Sequence, residues 1–364
     1  MENLFQGLFK NRKILITGDT GFKGSWLAIW LNEMGAKVYG YALPPKTIRD
    51  NFVTADLKNK ITHQDGDIVD FEKFFSFVKR TGPEILFHLA AQPLVLLSYK
   101  NPRETYQTNL MGVVNFFEAV RGVSSIKAAI NITSDKCYEN QNWVWGYREN
   151  DPMGGKDPYS SSKGCSELIT SSYLHSFFQD ESSAAVASAR AGNVIGGGDW
   201  AEDRIVPDFF KAYNKGEPLM IRNPDHTRPW QHVLEPLSGY LQLASKLLIE
   251  GKKYSGGWNF GPLDSNHYSV KELINRSIAM LGSGGFITPT NETKHYEAHL
   301  LKLDISKAMK MLNWKPALDF QDTVSFTVAG YQAEFQENDI YAQRVNQISE
   351  YIAIAKKQDI PWTK

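Results

Sequence analysis

Residues 13–24 constrain this chain more than any other stretch. Lys13-Ile-Leu-Ile-Thr17 is a short apolar run that stops at Gly18-x-x-Gly21-x-x-Gly24, and 25–34 then carries Trp26, Leu27, Trp30, Leu31 and Met34 at helical spacing. A strand, a glycine turn and a helix in that order open a βαβ unit. Glycines permit a tight turn and let backbone come close to a pyrophosphate. The start of the helix offers unpaired N–H groups and a partial positive charge. Gly18, Thr20, Gly21, Phe22 and Gly24 are therefore the candidate dinucleotide contacts. The spacing departs from the common fingerprint, whose first two glycines are two apart.

The alternation continues along the chain. A second strand over 37–42 is broken by Pro44 and Pro45, and 71–80 places Phe71, Phe74, Phe75 and Val78 on one helical face. Strands follow over 84–90, 128–133 and 184–191, with helices within 102–120 and over 159–178. This order predicts an α/β fold: a Rossmann-type doubly wound parallel sheet covered on both faces. Beyond Asn193 the regularity weakens, and Pro207, Pro218, Pro224, Pro229, Pro262 and Pro316 punctuate shorter elements. The expected division is a dinucleotide-binding domain over 1–192, with 230–262 returning to it. A smaller C-terminal α/β substrate domain is then expected from 193–229 and 263–364.

Composition narrows the class. The 40 basic and 40 acidic residues cancel, so no nucleic-acid partner is expected. No signal core and no long apolar run point to a membrane, and a soluble protein is expected. Cys137 and Cys165 have no metal spacing and are too few for a disulfide framework, so no metal and a reducing cytoplasm are expected.

Tyr159-x-x-x-Lys163 carries the chemistry. Residues four apart on a helix share a face, and an ammonium beside a phenol favours the phenolate. Ser134, at the end of the preceding strand, can hold a substrate hydroxyl. Asp135 and Lys136 beside it exceed what oxidising an alcohol requires. They point to a second task, removing one proton and delivering another, or else to a strand-end ion pair or cap. The second strand ends Val38-Tyr-Gly-Tyr-Ala-Leu43 with no acid to hold an adenosine ribose, which leaves NAD and NADP both open at this level. Lys46 and Arg49 can meet a 2′-phosphate or be surface charge. Asp67 and Ile68 can lie near an adenine, with a helix cap as the alternative for Asp67.

Together these segments resemble the extended branch of the short-chain dehydrogenase/reductase family. His88-Leu89-Ala90-Ala91, Asn109-x-x-Gly112 and Arg190-x-x-Asn193 join the glycine turn and Tyr159-x-x-x-Lys163 in the family's order. Within the branch, Thr17-Gly-Asp-Thr-Gly-Phe-Lys-Gly-Ser-Trp26, Thr133-Ser-Asp-Lys-Cys-Tyr138 and Arg228-Pro-Trp-Gln-His-Val233 are most similar to members acting on CDP-glucose. The resemblance implies NAD, recycled in each turnover, with Leu89, Ala90 and Ala91 beside it. It implies Ser134, Tyr159 and Lys163 as hydroxyl, base and lysine, and Asn109 as the residue that fixes Lys163 through water. Asn193 is expected at the substrate diphosphate, Arg204 and Val206 near the base, and Arg228 on a phosphate. Trp200 and Trp230 can pack on the base or in the core. Ser98, Tyr99 and His232 can line the sugar pocket, and His88 is read as structural. A homodimer or homotetramer is expected.

The implied reaction oxidises C4 of the sugar, eliminates water across C5 and C6, and reduces C6. Asp135, protonated, is the candidate acid for the C6 hydroxyl. Lys136 is the candidate for taking the C5 proton or steadying the enolate. A UDP-amino-sugar 4,6-dehydratase, a nucleotide-sugar 4-epimerase and a noncatalytic dinucleotide-binding scaffold remain the alternatives.

Overall fold

The computed structural model describes residues 1–263, 268–288 and 301–364. Seven strands form one sheet: β1 (Lys13–Thr17), β2 (Lys37–Ala42), β3 (Thr62–Asp65), β4 (Ile85–His88), β5 (Ala128–Ile132), β6 (Ala185–Ala191) and β7 (Gly256–Phe260). Their order is β3-β2-β1-β4-β5-β6-β7, and every pairing is parallel. The strand order reverses at β1, which has β2 on one side and β4 on the other. Ligands of open parallel sheets bind outside the carboxyl ends of the strands at such a reversal. All of β4, β5 and β6 is buried, as expected of strands covered on both faces.

One face of the sheet carries α1 (Phe22–Glu33), whose residues from Gly24 to Leu31 are all buried. The other face carries α2 (Phe71–Thr81), α3 (Gly112–Gly122) and α4 (Pro158–Phe177). There Phe74, Phe77, Val78, Phe116 and Phe117 form a core with Leu15 and Leu86 of the sheet. The helix expected within 102–120 is interrupted. Pro102–Tyr106 is α-helical, Gln107–Met111 makes a π-type turn, and α3 follows. Such turns recur where a helix delivers a functional side chain.

Beyond β6 the chain builds α5 (Ile205–Lys215), α6 (Leu234–Glu250), α7 (Val270–Leu281), α8 (Phe320–Phe335) and α9 (Ile340–Lys357). The stretch 230–262 returns to the sheet. Helix α6 packs on the α1 side, and β7 pairs with β6 from Gly256↔Ala187 to Phe260↔Ala191. A separate core forms from Ile195, Trp200, Val206, Phe209, Phe210 and Trp230 with Leu273, Phe320 and Tyr331 of α7 and α8. The packing does not follow the expected grouping of 263–364. Ile305, Leu312 and Trp314, with Ile348, Tyr351 and Trp362, share the core of α1. The reason is α1 itself: it is apolar all round, so its outer side needs a cover. Trp30 meets Tyr351 and Trp362 edge-on, with ring centroids 5.8 Å apart in both pairs.

Candidate active site

The glycine turn is shaped by close approach. Gly18 has φ +76°, and a Cβ there would stand 2.7 Å from the Ala90 amide nitrogen. The Leu89–Ala90 backbone thus forms one wall of the turn. A Cβ at Gly24 would stand 2.1 Å from the Gly18 carbonyl oxygen, so the first turn of α1 lies directly against the loop. Gly21 precedes α1 in extended conformation, and no side chain caps the helix. The first amides of α1 are free to meet an anion. This cradle fits a dinucleotide pyrophosphate. Thr20 is drawn to the β2 side, its hydroxyl donating to the Leu43 carbonyl at 2.9 Å. Phe22 packs against the core of α1.

The end of β2 holds a surprise for sequence reasoning. A Cβ at Gly40 would stand 2.0 Å from Asp19 Oδ2, so the Asp19 carboxylate lies against β2. It is fully buried and pairs with His63 Nδ1 at 2.7 Å, while His63 Nε2 meets Asp65 Oδ1 at 3.1 Å. Burial pushes the Asp19 carboxyl up, and the His63 hydrogen bond opposes it. Asp19 Oδ1 has no hydrogen-bond partner in the structure. The buried acid beside the second strand thus comes from the glycine turn, where no spacing rule looks for it. Asp67 does not cap α2; Asp70 does, accepting from Lys73 N. Asp67 Oδ1 instead accepts from Val69 N at 3.0 Å. The Ile68 side chain is buried against Gly112, where a Cβ would stand 2.9 Å from Ile68 Cγ2.

The candidate catalytic group lies past the carboxyl end of β5. Ser134 caps a single 3₁₀ turn, Asp135–Cys137, its Oγ accepting from Lys136 N at 3.3 Å. The capping residue is thus Ser134, and Asp135 and Lys136 lie within the turn it caps. Asp135 points inward, buried, and accepts from Ser134 Oγ at 2.9 Å. Lys136 is half-buried. Burial pushes the Asp135 carboxyl up, against the pull of the Lys136 charge. That direction suits an acid that must carry a proton.

Helix α4 starts sharply because Asp157 caps it, accepting from Ser160 N at 2.9 Å, and Pro158 occupies its first turn. This places Tyr159 at the helix mouth, where the Ser134 hydroxyl favours its phenolate. Its backbone N–H donates to Ser98 Oγ at 3.2 Å, so Ser98 anchors the helix rather than lining a sugar pocket. Burial pushes the Tyr159 hydroxyl up to about 12, the reverse of the expected lowering. Burial brings the Lys163 amine down to about 8, which leaves it mostly charged at neutral pH. Asn109, on the π-type turn, accepts from Gln92 N at 2.8 Å and donates to the Gln92 carbonyl at 3.1 Å and Ser162 Oγ at 2.8 Å. It ties the loop after β4, which continues from Ala90 and Ala91, to the catalytic helix.

The substrate side is more dispersed. Gly192 separates Asp135 from the segment after β6: a Cβ there would stand 3.0 Å from Asp135 Oδ2 and 3.7 Å from Pro229 Cγ. A narrow cleft opens there, lined by Gly192, Pro229, Gln231, Gly261, Pro262, Lys302 and Leu303. The Asn193 carbonyl accepts from Gln231 N at 3.1 Å. Arg204 pairs with Asp199 at 2.9 Å, and its charge reaches both Tyr159 and Lys23. Arg228 lies on a two-residue strand paired with Tyr268 and Ser269, its Nη1 donating to the Thr227 carbonyl at 2.9 Å. Val206 is buried in the second core. Trp200 and Trp230 are buried there too, their indoles donating to Glu334 and to the Tyr268 carbonyl, which assigns both to packing. His232 is fully buried edge-on to Trp26, whereas Tyr99 is half exposed. His88 is buried, and its Nδ1 bonds the Thr17 hydroxyl at 2.8 Å.

Sequence reasoning missed two further groups. Glu167, one turn after Lys163, is buried and holds Arg190 through two contacts of 2.8 and 2.9 Å. Its i, i+4 spacing from Lys163 was the available signal. Lys23 is the second residue of α1, and its amine meets the Tyr240 hydroxyl at 3.5 Å. A lysine in an otherwise apolar helix was the signal there.

A parallel sheet reversing at a glycine turn, with Ser134, Tyr159 and Lys163 at its carboxyl edge, defines an extended short-chain dehydrogenase/reductase. Solved structures share that fold. UDP-glucose 4-epimerase from Stenotrophomonas maltophila, with NAD and a formylated UDP-arabinopyranose, superposes with a TM-score of 0.78 at 19% identity, covering 90% of this chain and 99% of that one. dTDP-glucose 4,6-dehydratase from Bacillus anthracis, in complex with NAD, gives 0.73 at 20% identity over 90% and 99%. Residues 15–327 match the family model described as GDP-mannose 4,6 dehydratase, and the chain belongs to that family. CDP-glucose 4,6-dehydratase from Salmonella typhimurium is 48% identical over 356 residues, covering 97% of this chain and 98% of the relative. dTDP-glucose 4,6-dehydratase from Xanthomonas campestris is 23% identical over 87% of this chain and 92% of the relative.

Proposed function

We propose that this protein dehydrates CDP-glucose to CDP-4-dehydro-6-deoxyglucose, with NAD reduced and reoxidised within each turnover. The observation that carries the reading is the buried Asp135 beside the Ser134–Tyr159 hydroxyl pair. Oxidation alone needs no such acid. The 48% identity to the Salmonella CDP-glucose 4,6-dehydratase supports the choice of nucleotide.

Bound NAD supplies a hydride acceptor for C4 and a hydride donor for C6. Ser134 orients the C4 hydroxyl, and Tyr159 takes its proton. A phenol raised to about 12 holds its proton at neutral pH, so Tyr159 must first release that proton to solvent, and the phenolate then takes the C4 hydroxyl proton as a strong base. The new ketone acidifies the C5 hydrogen. Lys136 removes that proton or steadies the enolate. Asp135 gives its proton to the C6 hydroxyl, which leaves as water. C5 regains a proton as C6 receives the hydride. The sum is substrate minus one water, with no net redox change. Gly18, Thr20, Gly21, Phe22, Gly24, Asp67, Ile68, Leu89, Ala90, Ala91 and Asn109 are assigned to the cofactor side. Asn193, Arg204, Val206 and Arg228 are assigned to the nucleotide sugar.

Pairing as a homodimer or homotetramer through α3 and α4 accords with exposed Met111, Leu168 and Phe177 on and beside those helices. A cytoplasmic setting accords with two free thiols, Cys137 and Cys165. No helix among the described residues is long and apolar enough to cross a membrane.

The deciding experiment follows CDP-glucose and purified enzyme by NMR. A 6-deoxy-4-ketosugar is expected. A C4 epimer selects the epimerase reading, unchanged substrate the scaffold, and turnover only of a UDP-linked amino sugar the remaining dehydratase reading.

A further inference from the structure

Lys23 has no part in the reaction as derived above, yet it stands among the groups that perform it. It follows Gly21 and Phe22 on the dinucleotide turn, in the first turn of α1. Its amine is directed to the Tyr240 hydroxyl of α6, 3.5 Å away, and lies 5.9 Å from the centre of that ring. The charges it meets come from four other places in the fold: Lys163 on α4, Arg204 before α5, Asp135 after β5 and Asp199 after the second glycine run. Of the two carboxylates, Asp199 is already paired with Arg204 at 2.9 Å. Lys23, Lys163 and Arg204 thus act on a basin in which Asp135, held by Ser134 Oγ, is biased toward its neutral form by burial.

Lys23 also marks where the dinucleotide's reactive ring must lie. The carbinol hydrogen and the hydroxyl proton leave the same C4 centre. The ring that takes the hydride must therefore sit within reach of Ser134 and Tyr159, while its pyrophosphate rests on the turn that bears Lys23. We propose that Lys23 sets the balance between oxidised and reduced dinucleotide in the site, favouring the reduced form. The inference rests on the assignment of NAD above. The oxidised ring carries a positive charge that the reduced ring lacks, so a fixed cation in the same basin disfavours only the oxidised form. A unit charge acting over about 8 Å at an effective dielectric near 20 shifts an equilibrium by more than about tenfold. Such a bias helps the difficult first step, removal of hydride from an unactivated alcohol.

The amine is switchable. Burial brings it down to about 7, with Arg204 and Lys163 acting in the same direction and Asp135 and Asp199 opposing. Below that pH Lys23 is charged and the bias is present; above it the bias fades. Tyr240 and Tyr159 stay neutral across this range, since both are pushed up by burial.

The test compares Kd for NAD+ and for NADH, by calorimetry or protein fluorescence without sugar, in wild type, Lys23→Met and Lys23→Arg. At pH 6, Lys23→Met should lower the preference for NADH by about tenfold or more, and Lys23→Arg should retain it. Between pH 6 and 8 the wild-type preference should fall more than that of Lys23→Met. Equal weakening of both forms by Lys23→Met would show a phosphate anchor and overturn the proposal, as would an unchanged ratio. If Lys23→Met does not fold, Lys23→Gln serves the same comparison. Binding of neither dinucleotide by wild type would remove the NAD assignment and this inference with it. Binding of both with an unmoved ratio removes this inference alone.

Discussion

At the scale of single residues, the site divides two proton tasks between two environments. Asp135 is buried and pushed up, while Lys136, its neighbour in sequence, sits half-buried across one 3₁₀ turn. Asp135→Asn keeps the shape and removes the acid. It should leave C4 oxidation intact and slow water loss by on the order of a hundredfold or more. Stopped-flow absorbance should then show reduced dinucleotide accumulating, which wild type does not allow. Lys136→Ala should slow exchange of the C5 hydrogen with solvent by a similar factor; exchange at the wild-type rate would remove Lys136 as the base. Ser134, Tyr159 and Lys163 were legible because hydroxyl, phenol and amine fall at fixed intervals along the chain. Asp19 and Lys23 were not. Each derives its meaning from neighbours more than twenty residues away, His63 and Gly40 for one, Tyr240 and Arg204 for the other.

At the scale of elements, α4 is held in place by a buried ion pair. Glu167 and Arg190 are each only 4% exposed, and Ser188 also donates to the carboxylate, at 2.6 Å. The pair fixes α4 against β6 on the face that also carries Lys163 and Tyr159, one and two turns earlier. Glu167→Ala strands a buried guanidinium, and urea denaturation should show a loss of about 3–5 kcal/mol. Strand boundaries were read well because buried parallel strands are continuous apolar runs ended by glycine or proline, as at β1 and β2. The stretch 102–120 misled for an equally plain reason. A π-type turn inserts its extra residue without changing composition, so periodicity alone passes over Gln107–Met111.

At the scale of the whole molecule, Glu235 joins α6 to the distant segments. Its carboxyl accepts from the Ala317 and Leu318 amides at 2.9 and 2.6 Å and from the Tyr351 hydroxyl at 2.8 Å. Burial pushes it up to about 7 in spite of these bonds. A carboxyl whose folded value exceeds its unfolded one stabilises at low pH, and the benefit is lost as pH rises through the folded value. Thermal melts should therefore show wild-type stability falling as pH rises from about 4.5 to about 7, by up to about 1.4 kcal/mol per pH unit, and levelling off above that, and Glu235→Gln should flatten that slope. An equal slope in both proteins would place the effect elsewhere. The grouping of 263–364 was not legible, because nothing local in 340–362 shows that its partner is α1. That partnership sets a timetable for the nascent chain. The glycine turn and α1 are made about 320 residues before the segment that covers them, so the aromatic face of Trp30 waits for Tyr351 and Trp362. At ribosomal rates of about 5–20 residues per second, that wait is on the order of half a minute. Throughout it the most apolar helix of the fold stands uncovered, a natural client for any chaperone that waits at the tunnel mouth.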